Sequence, residues 1–191
     1  MKKAIFTVII SIYSFVACIA QKDSVELPAM DKSPMVMCYY PANYPVLKIS
    51  DKVTEPLLAR VIYGRPQKNG RNVFGDLVEY GKVWRLGANE ATELEFYKDV
   101  KVDGKKIAKG RYTLYAIPNP DSWTLIINKD TDTWGAFRYN EKNDVQRIVL
   151  PVRSTTKMVE TLSMTCNKKS NGFDLVIAWD TKQVSMPVSV K

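Results

Sequence analysis

Apolar side chains return at every second position through most of this chain. The sets Thr92-Leu94-Phe96, Tyr112-Leu114-Ala116, Trp123-Leu125-Ile127, Leu162-Met164-Cys166, Phe173-Leu175-Ile177-Trp179 and Val184-Met186-Val188-Val190 each alternate with other residues. Successive side chains of an extended strand point to opposite faces, so each set predicts a strand with one buried face. Segments 58–63 and 145–150 read as further strands, and 35–40 as a first one. Beyond residue 20 no window sustains the three-and-four spacing of an amphipathic helix. Reversals fall where the pattern needs them, at Asp103-Gly104, at Pro118-Asn119-Pro120-Asp121 and at Ser170-Asn171-Gly172. Gly and Asn tolerate the positive φ of tight hairpins. The run 39–45, interrupted by Pro41 and Pro45, predicts an ordered loop rather than a helix. The expected fold is all-β: an antiparallel β-sandwich or jelly roll of eight to ten strands, two sheets closing over one core.

The first twenty residues break this pattern. Lys2 and Lys3 precede an uncharged, largely apolar run over 4–20, which predicts a secretory signal peptide cleaved before Gln21, with the small residues Cys18 and Ala20 at the cleavage site. The competing reading is a lipid anchor on Cys18 within Phe15-Val16-Ala17-Cys18, where Phe15 stands in place of the usual Leu. Both readings send the protein out, to the periplasm, the cell surface or the medium. Polar residues with Pro28 and Pro34 make 21–34 a tether, and 35–191 a single domain with no second apolar run long enough to span a membrane. A domain of this size buries roughly 70% of its unfolded surface.

The chain carries 28 Lys and Arg against 20 Asp and Glu; losing Lys2 and Lys3 leaves 26 against 20, a net charge of +6. The basic residues are spread among acids, so no nucleic-acid surface is expected. The charge reads first as a solvated, mildly basic surface; the alternative is a partner such as a glycan, an anionic lipid headgroup or a small anionic ligand. Cys38 and Cys166 are permitted a disulfide in an exported protein, and equally suit two buried thiols.

The chain has no histidine. That excludes Ser-His-Asp and Cys-His catalysis, the two-histidine zinc helix and the two-histidine iron site. The nine glycines form no phosphate-cradling loop, so no nucleotide, metal or other cofactor is expected. Asn128, Asp130 and Asp132 open like a calcium loop, but Thr133 stands where the sharp turn needs Gly and Tyr139 where a bidentate Glu belongs.

Four strings carry a family resemblance: LPAMDKSPM (27–35), VIYGRPQKNGRNVFGDLVEYGKVWRLGANEATELEF (61–96), KGRYTLYAIPNPDSWTLIINKDTDTWG (109–135) and YNEKNDVQRI (139–148). Together they resemble the exported bacterial proteins known as domain of unknown function 2911, over nearly the whole expected mature chain. The resemblance implies an exported β-domain and no assigned activity. Its family strings correspond here to Tyr63, Arg65 and Pro66, to 84–92, and to Trp134 and Gly135. Many members carry Ser where this chain has Gly64, so no nucleophile is expected there.

Two constellations stand out. In VWRLGANEATELEF (83–96) Gly87 predicts a bulge, Asn89 is suited to bond the freed backbone, and Arg85 and Glu90 are brought close enough to pair, with Arg60 or Arg65 as further candidates. Either these groups form a satisfied network pinning the bulge, or Arg85 or Arg65 grips a ligand carboxylate, phosphate or hydroxyl while Asn89 and Glu90 orient it. In 128–144, Trp134, Phe137 and Tyr139 interleave with Arg138 and Asn140, either as a sugar-stacking surface or as caps on the core. The candidate binding residues are Arg65, Trp84, Arg85, Asn89, Glu90, Thr92, Trp134 and Tyr139. The expected role is a non-catalytic binding or structural module. Its alternative is a carboxylate-dependent enzyme on glycans, pairing Glu90 with Asp132 or Asp144. An assembly partner docking through an unprotected edge strand over 184–190 is a third class.

Overall fold

In a computed structural model describing residues 27–190, the alternating sets become the inner faces of two antiparallel sheets. The expected signal peptide and the Cys18 anchor lie outside the described residues. Among those described, no helix is long and apolar enough to cross a membrane.

The larger sheet holds β1 (Met35–Tyr40), β2 (Ala59–Gly64), β3 (Thr92–Phe96), β6 (Gly110–Pro118), β7 (Ser122–Asn128) and β8 (Asp144–Pro151), in that spatial order. The smaller runs β5 (Lys105–Ile107), β4 (Val100–Val102), β10 (Gly172–Ser189), β9 (Arg153–Lys169). The fold is thus an all-β sandwich of ten strands among the described residues. The Asp103-Gly104 turn has φ of 50° and 74°, the doubly positive geometry of a tight hairpin, and Gly172 takes φ 131° at the β9–β10 reversal.

Two expectations change. The segments 173–179 and 184–190 are the two arms of β10, which doubles back at Asp180 (φ 54°): Val190 N–H donates to the Asn171 carbonyl at 3.2 Å, and a Cβ on Gly172 would stand 2.0 Å from the Val188 carbonyl oxygen. Consequently 184–190 is no open edge: it lies between the other arm of β10 and β4, with Val188 opposite Val102. Second, a short helix α1 (Tyr44–Ile49) follows the proline run, because Pro45 sits in the first turn, where its missing N–H is no loss. Its six residues bury nothing, which is why no apolar period announced it.

The core gathers the inward positions of both sheets around an aromatic knot of Phe74, Trp84, Trp123 and Trp179. Phe74 and Trp84 come from the long connection 65–91 between β2 and β3, which also contributes Val73, Val78 and Leu86 to the core. The start of that connection crosses to the other sheet. Gln67 pairs antiparallel with Thr161 of β9, flanked by Leu162 N–H to the Pro66 carbonyl at 3.0 Å and Lys68 N–H to the Glu160 carbonyl at 2.8 Å. One side of the sandwich is closed by main-chain hydrogen bonds, which covers part of the β9 edge.

Candidate functional site

The corner at 84–92 is held from four directions. Trp84 exchanges backbone hydrogen bonds with Ala116 of β6 at 2.7 and 2.9 Å. Thr92, fully buried at the start of β3, donates its N–H to the Arg85 carbonyl at 3.0 Å and its hydroxyl to the Leu86 carbonyl at 2.8 Å. Ala91 N–H donates to the Thr133 carbonyl, and Gly135 N–H to the Asn89 carbonyl, so Glu90 forms a bridge with Trp134. Asn89 donates its side-chain amide to Asp31 at 2.5 Å. Asp31 also accepts from Ser33 N–H at 2.6 Å, so the segment read as a tether is fastened here.

Positive φ in this corner is found at Leu86 (55°) and Asn89 (61°), not at Gly87, where the bulge was expected. Gly87 has a different task. A Cβ on it would stand 2.9 Å from the Gly64 carbonyl oxygen, and one on Gly64 would stand 2.1 Å from the Ala88 carbonyl oxygen. Two glycines let the backbones of 64 and 87–88 touch.

Arg85 projects from this rigid corner without a partner. It forms no ion pair or hydrogen bond among the described residues, and its Nε is buried. Loss of hydration pushes the guanidinium pKa down, since no carboxylate offsets it. The expected pairing with Glu90 is not made. Glu90 faces another hollow, of about 190 Å³, shared with Glu93 and Asp132. Arg60 takes Glu95 at 2.6 Å. Arg65 donates to the Leu162 carbonyl at 3.1 Å and to Ser163 Oγ at 3.0 Å, fastening β2's end to β9. Charge proximity in sequence was read as contact, but the positive φ at Asn89 turns Glu90 away from Arg85.

Arg85 lines two adjoining hollows, of about 290 and 340 Å³, which share Leu77, Val78, Trp84 and Arg85. In the first, Arg71 and Asn89 are the other long polar groups; Arg71 donates to the Lys68 carbonyl at 2.9 Å and to the Gln67 carbonyl at 2.6 Å, so this second guanidinium is held by main chain rather than by a carboxylate. Phe137, 84% exposed, and Leu77 border the second. Glu79, exposed on that border, makes no ion pair with Arg85. The arrangement offers two guanidiniums and an amide at one end and, at the other, Leu77, Ala136 and Phe137 set among Glu79 and Lys82. A larger hollow of about 350 Å³ lies elsewhere, and there Lys168 already has Glu55 as its ion-pair partner.

The remaining candidates separate. Trp84 is a core residue, 8% exposed, stacked on Trp179 with ring centroids 6.0 Å apart, and it lends the hollows one edge. Trp134 is 62% exposed beside Glu90, so neither it nor Phe137 caps the core. Tyr139 turns inward, edge-on to Tyr115 at 5.2 Å, donating to Asp144 at 2.7 Å and accepting from Arg147 at 2.6 Å. In the calcium-like stretch the fully buried Asn128 spends its side chain on Asp130 N–H, the Asn140 carbonyl and Asp144, and no metal-holding acidic group occurs among the described residues. Glu90 and Asp132, one of the carboxylate pairs considered, do share a hollow. Arg111 donates to Asp132, which with Thr131 holds that carboxyl below its usual range, and it donates to Glu93 as well. Arg71, Leu77, Ser33 and Asp31 were missed. The LPAMDKSPM string carried the last two, and no periodicity marked the others.

The family model described as "Protein of unknown function (DUF2911)" matches residues 45–188. No curated protein and no solved structure matches the chain.

Proposed function

Because the chain belongs to the DUF2911 family, whose description assigns no activity, we propose its role from the site alone. It is an exported, non-catalytic binding module that holds a small carboxylated ligand, foremost an acidic sugar, against Arg85. The observation that carries this is the half-buried Arg85 with an unpartnered Nε. Burial without a partner costs a protein stability, and an anion arriving with two oxygens would recover it through a bidentate contact. Arg71 supports the same charge preference, and the amide of Asn89 suits a hydroxyl. Phe137 and Leu77 favour a ring with an apolar C–H face over a bare inorganic ion.

The test is melting of the purified protein with glucuronate, galacturonate oligomers, phosphate, sulfate and neutral glucose. A ligand present at 100 times its Kd adds about 2.7 kcal/mol to the native state. Uronates should raise Tm, with phosphate and sulfate weaker and glucose silent. If glucose matches the uronates, or no anion shifts melting at millimolar levels, the reading fails.

A further inference from the structure

We propose that Cys38 and Cys166 form a site of covalent modification, an inter-sheet disulfide that locks β1 and β2 to β9. The argument begins with register. Along β9 the inward positions are Leu162, Met164 and Cys166. Arg65 donates to the Leu162 carbonyl, and Tyr63 Oη accepts Met164 N–H at 2.9 Å. Each two-residue step along β2 is matched by a two-residue step along β9 in the opposite direction. Continued once more, the same offset sets Val61 against Cys166. Val61 is the residue that Cys38 pairs with in the β1–β2 ladder. The two cysteines, far apart in sequence, are therefore brought face to face by the side of the sandwich that the 66–68 crossing closes.

The side chains agree with the backbone. Both thiols are free, Cys166 buried in the core and Cys38 partly buried against it. They lie within hydrogen-bonding reach, and the Cys166 thiol donating to the Cys38 sulfur lowers the pKa of Cys38 and raises that of Cys166. The more accessible sulfur is thus the readier nucleophile, and the buried one waits behind it.

The oxidant is a disulfide, supplied as a small molecule or by an oxidised dithiol protein. The Cys38 thiolate attacks one sulfur of that disulfide, breaking its S–S bond, forming a mixed disulfide and releasing one thiolate. Cys166 then loses its proton to solvent and attacks the Cys38 sulfur, breaking the mixed disulfide and releasing the second thiolate. Two protein thiols lose two electrons and two protons, and the oxidant becomes two thiols.

The experiment equilibrates the purified protein in glutathione buffers from fully reduced to fully oxidised. Trapping with iodoacetamide, non-reducing peptide mapping and thermal melts then follow. Oxidising buffer should leave both residues unalkylated in one linked Cys38–Cys166 peptide, which mapping separates from anything involving Cys18. Its Tm should exceed that of the same sample reduced by several degrees, with no such gap in Cys38→Ser or Cys166→Ser. The wild-type comparison stands even if a variant folds poorly. Two alkylated thiols persisting in oxidising buffer would overturn the proposal, as would a glutathione adduct on Cys38 that Cys166 does not resolve or a bridge found only between chains.

Discussion

Replacing Arg85 with Met separates a ligand-gripping guanidinium from a structural one by the sign of the stability change. The methionine keeps most of the apolar stem against Trp84 and Val78 while removing a charge whose Nε is buried without a partner. An unsatisfied buried polar group costs about 1–3 kcal/mol, and Arg85 is only partly buried, so the lower end applies. Arg85→Met should therefore stabilise by about 1 kcal/mol, raising Tm by roughly 2–4 °C for a domain of this size. The same variant loses a charge-assisted contact of about 2–3 kcal/mol to a carboxylate, which at about 1.4 kcal/mol per decade weakens binding roughly 30- to 150-fold. Differential scanning calorimetry and titration calorimetry with a uronate read the two effects on one pair of proteins. Higher Tm with lost affinity is the expected pair of results. Lower Tm with affinity unchanged would mean that the guanidinium holds the fold, and the reasoning would be refuted.

Gly64→Ser puts a Cβ onto the Ala88 carbonyl oxygen and should destabilise by about 3 kcal/mol, or roughly 6–12 °C in Tm, unless 87–88 moves away; an unchanged melt would show that the close approach is not a constraint. Thr92→Val keeps shape but strips the Leu86 carbonyl of its hydroxyl donor in a fully buried position, costing about 1–3 kcal/mol by chemical denaturation. Tyr139→Phe loses the hydrogen bond to Asp144, about 1 kcal/mol at neutral pH. Burial, then the Asp144 carboxylate, pushes that phenol's pKa from 10.0 up to about 12. The folded state holds the proton more tightly than the unfolded chain, so the wild-type advantage over the variant should be full below pH 10 and shrink as pH climbs towards 12. A gap that stays constant across that range contradicts the assignment.

Much of the fold was legible because one rule, alternation on a pleated surface, repeats from Thr92 to Val188 and fixes which residues face the core. What escaped lies where that rule has no purchase. The α1 helix buries no side chain, so it left no period to read. The reversal between 173–179 and 184–190, by contrast, showed as a break in the alternation, and Asp180 makes it at positive φ. At the site, the string 84–92 pointed to the right corner but to the wrong contacts. Residue spacing conveys who is near along the chain. It does not convey that Asn89 and Leu86 adopt positive φ and turn Glu90 towards Trp134, nor that Arg71 is brought to Arg85 from earlier in the same connection.

The corner gathers several unfavourable features within a few residues. Leu86 sits in the left-handed region, costing of order 1–3 kcal/mol for a side chain of that kind, and Asn89 shares the conformation more cheaply. Arg85, immediately before Leu86, stands unpaired. Such a segment would relax if it could, and the surrounding bonds from Ala116, Thr92, Thr133 and Asp31, with the Gly64 contact beneath, are what prevent it. A corner needed only for folding would gain by pairing Arg85 with a carboxylate, and Glu79 borders the same hollow without doing so. Strain and an unpartnered cation, both held in place by a rigid frame, fit a side chain kept ready for an external anion better than one serving the core.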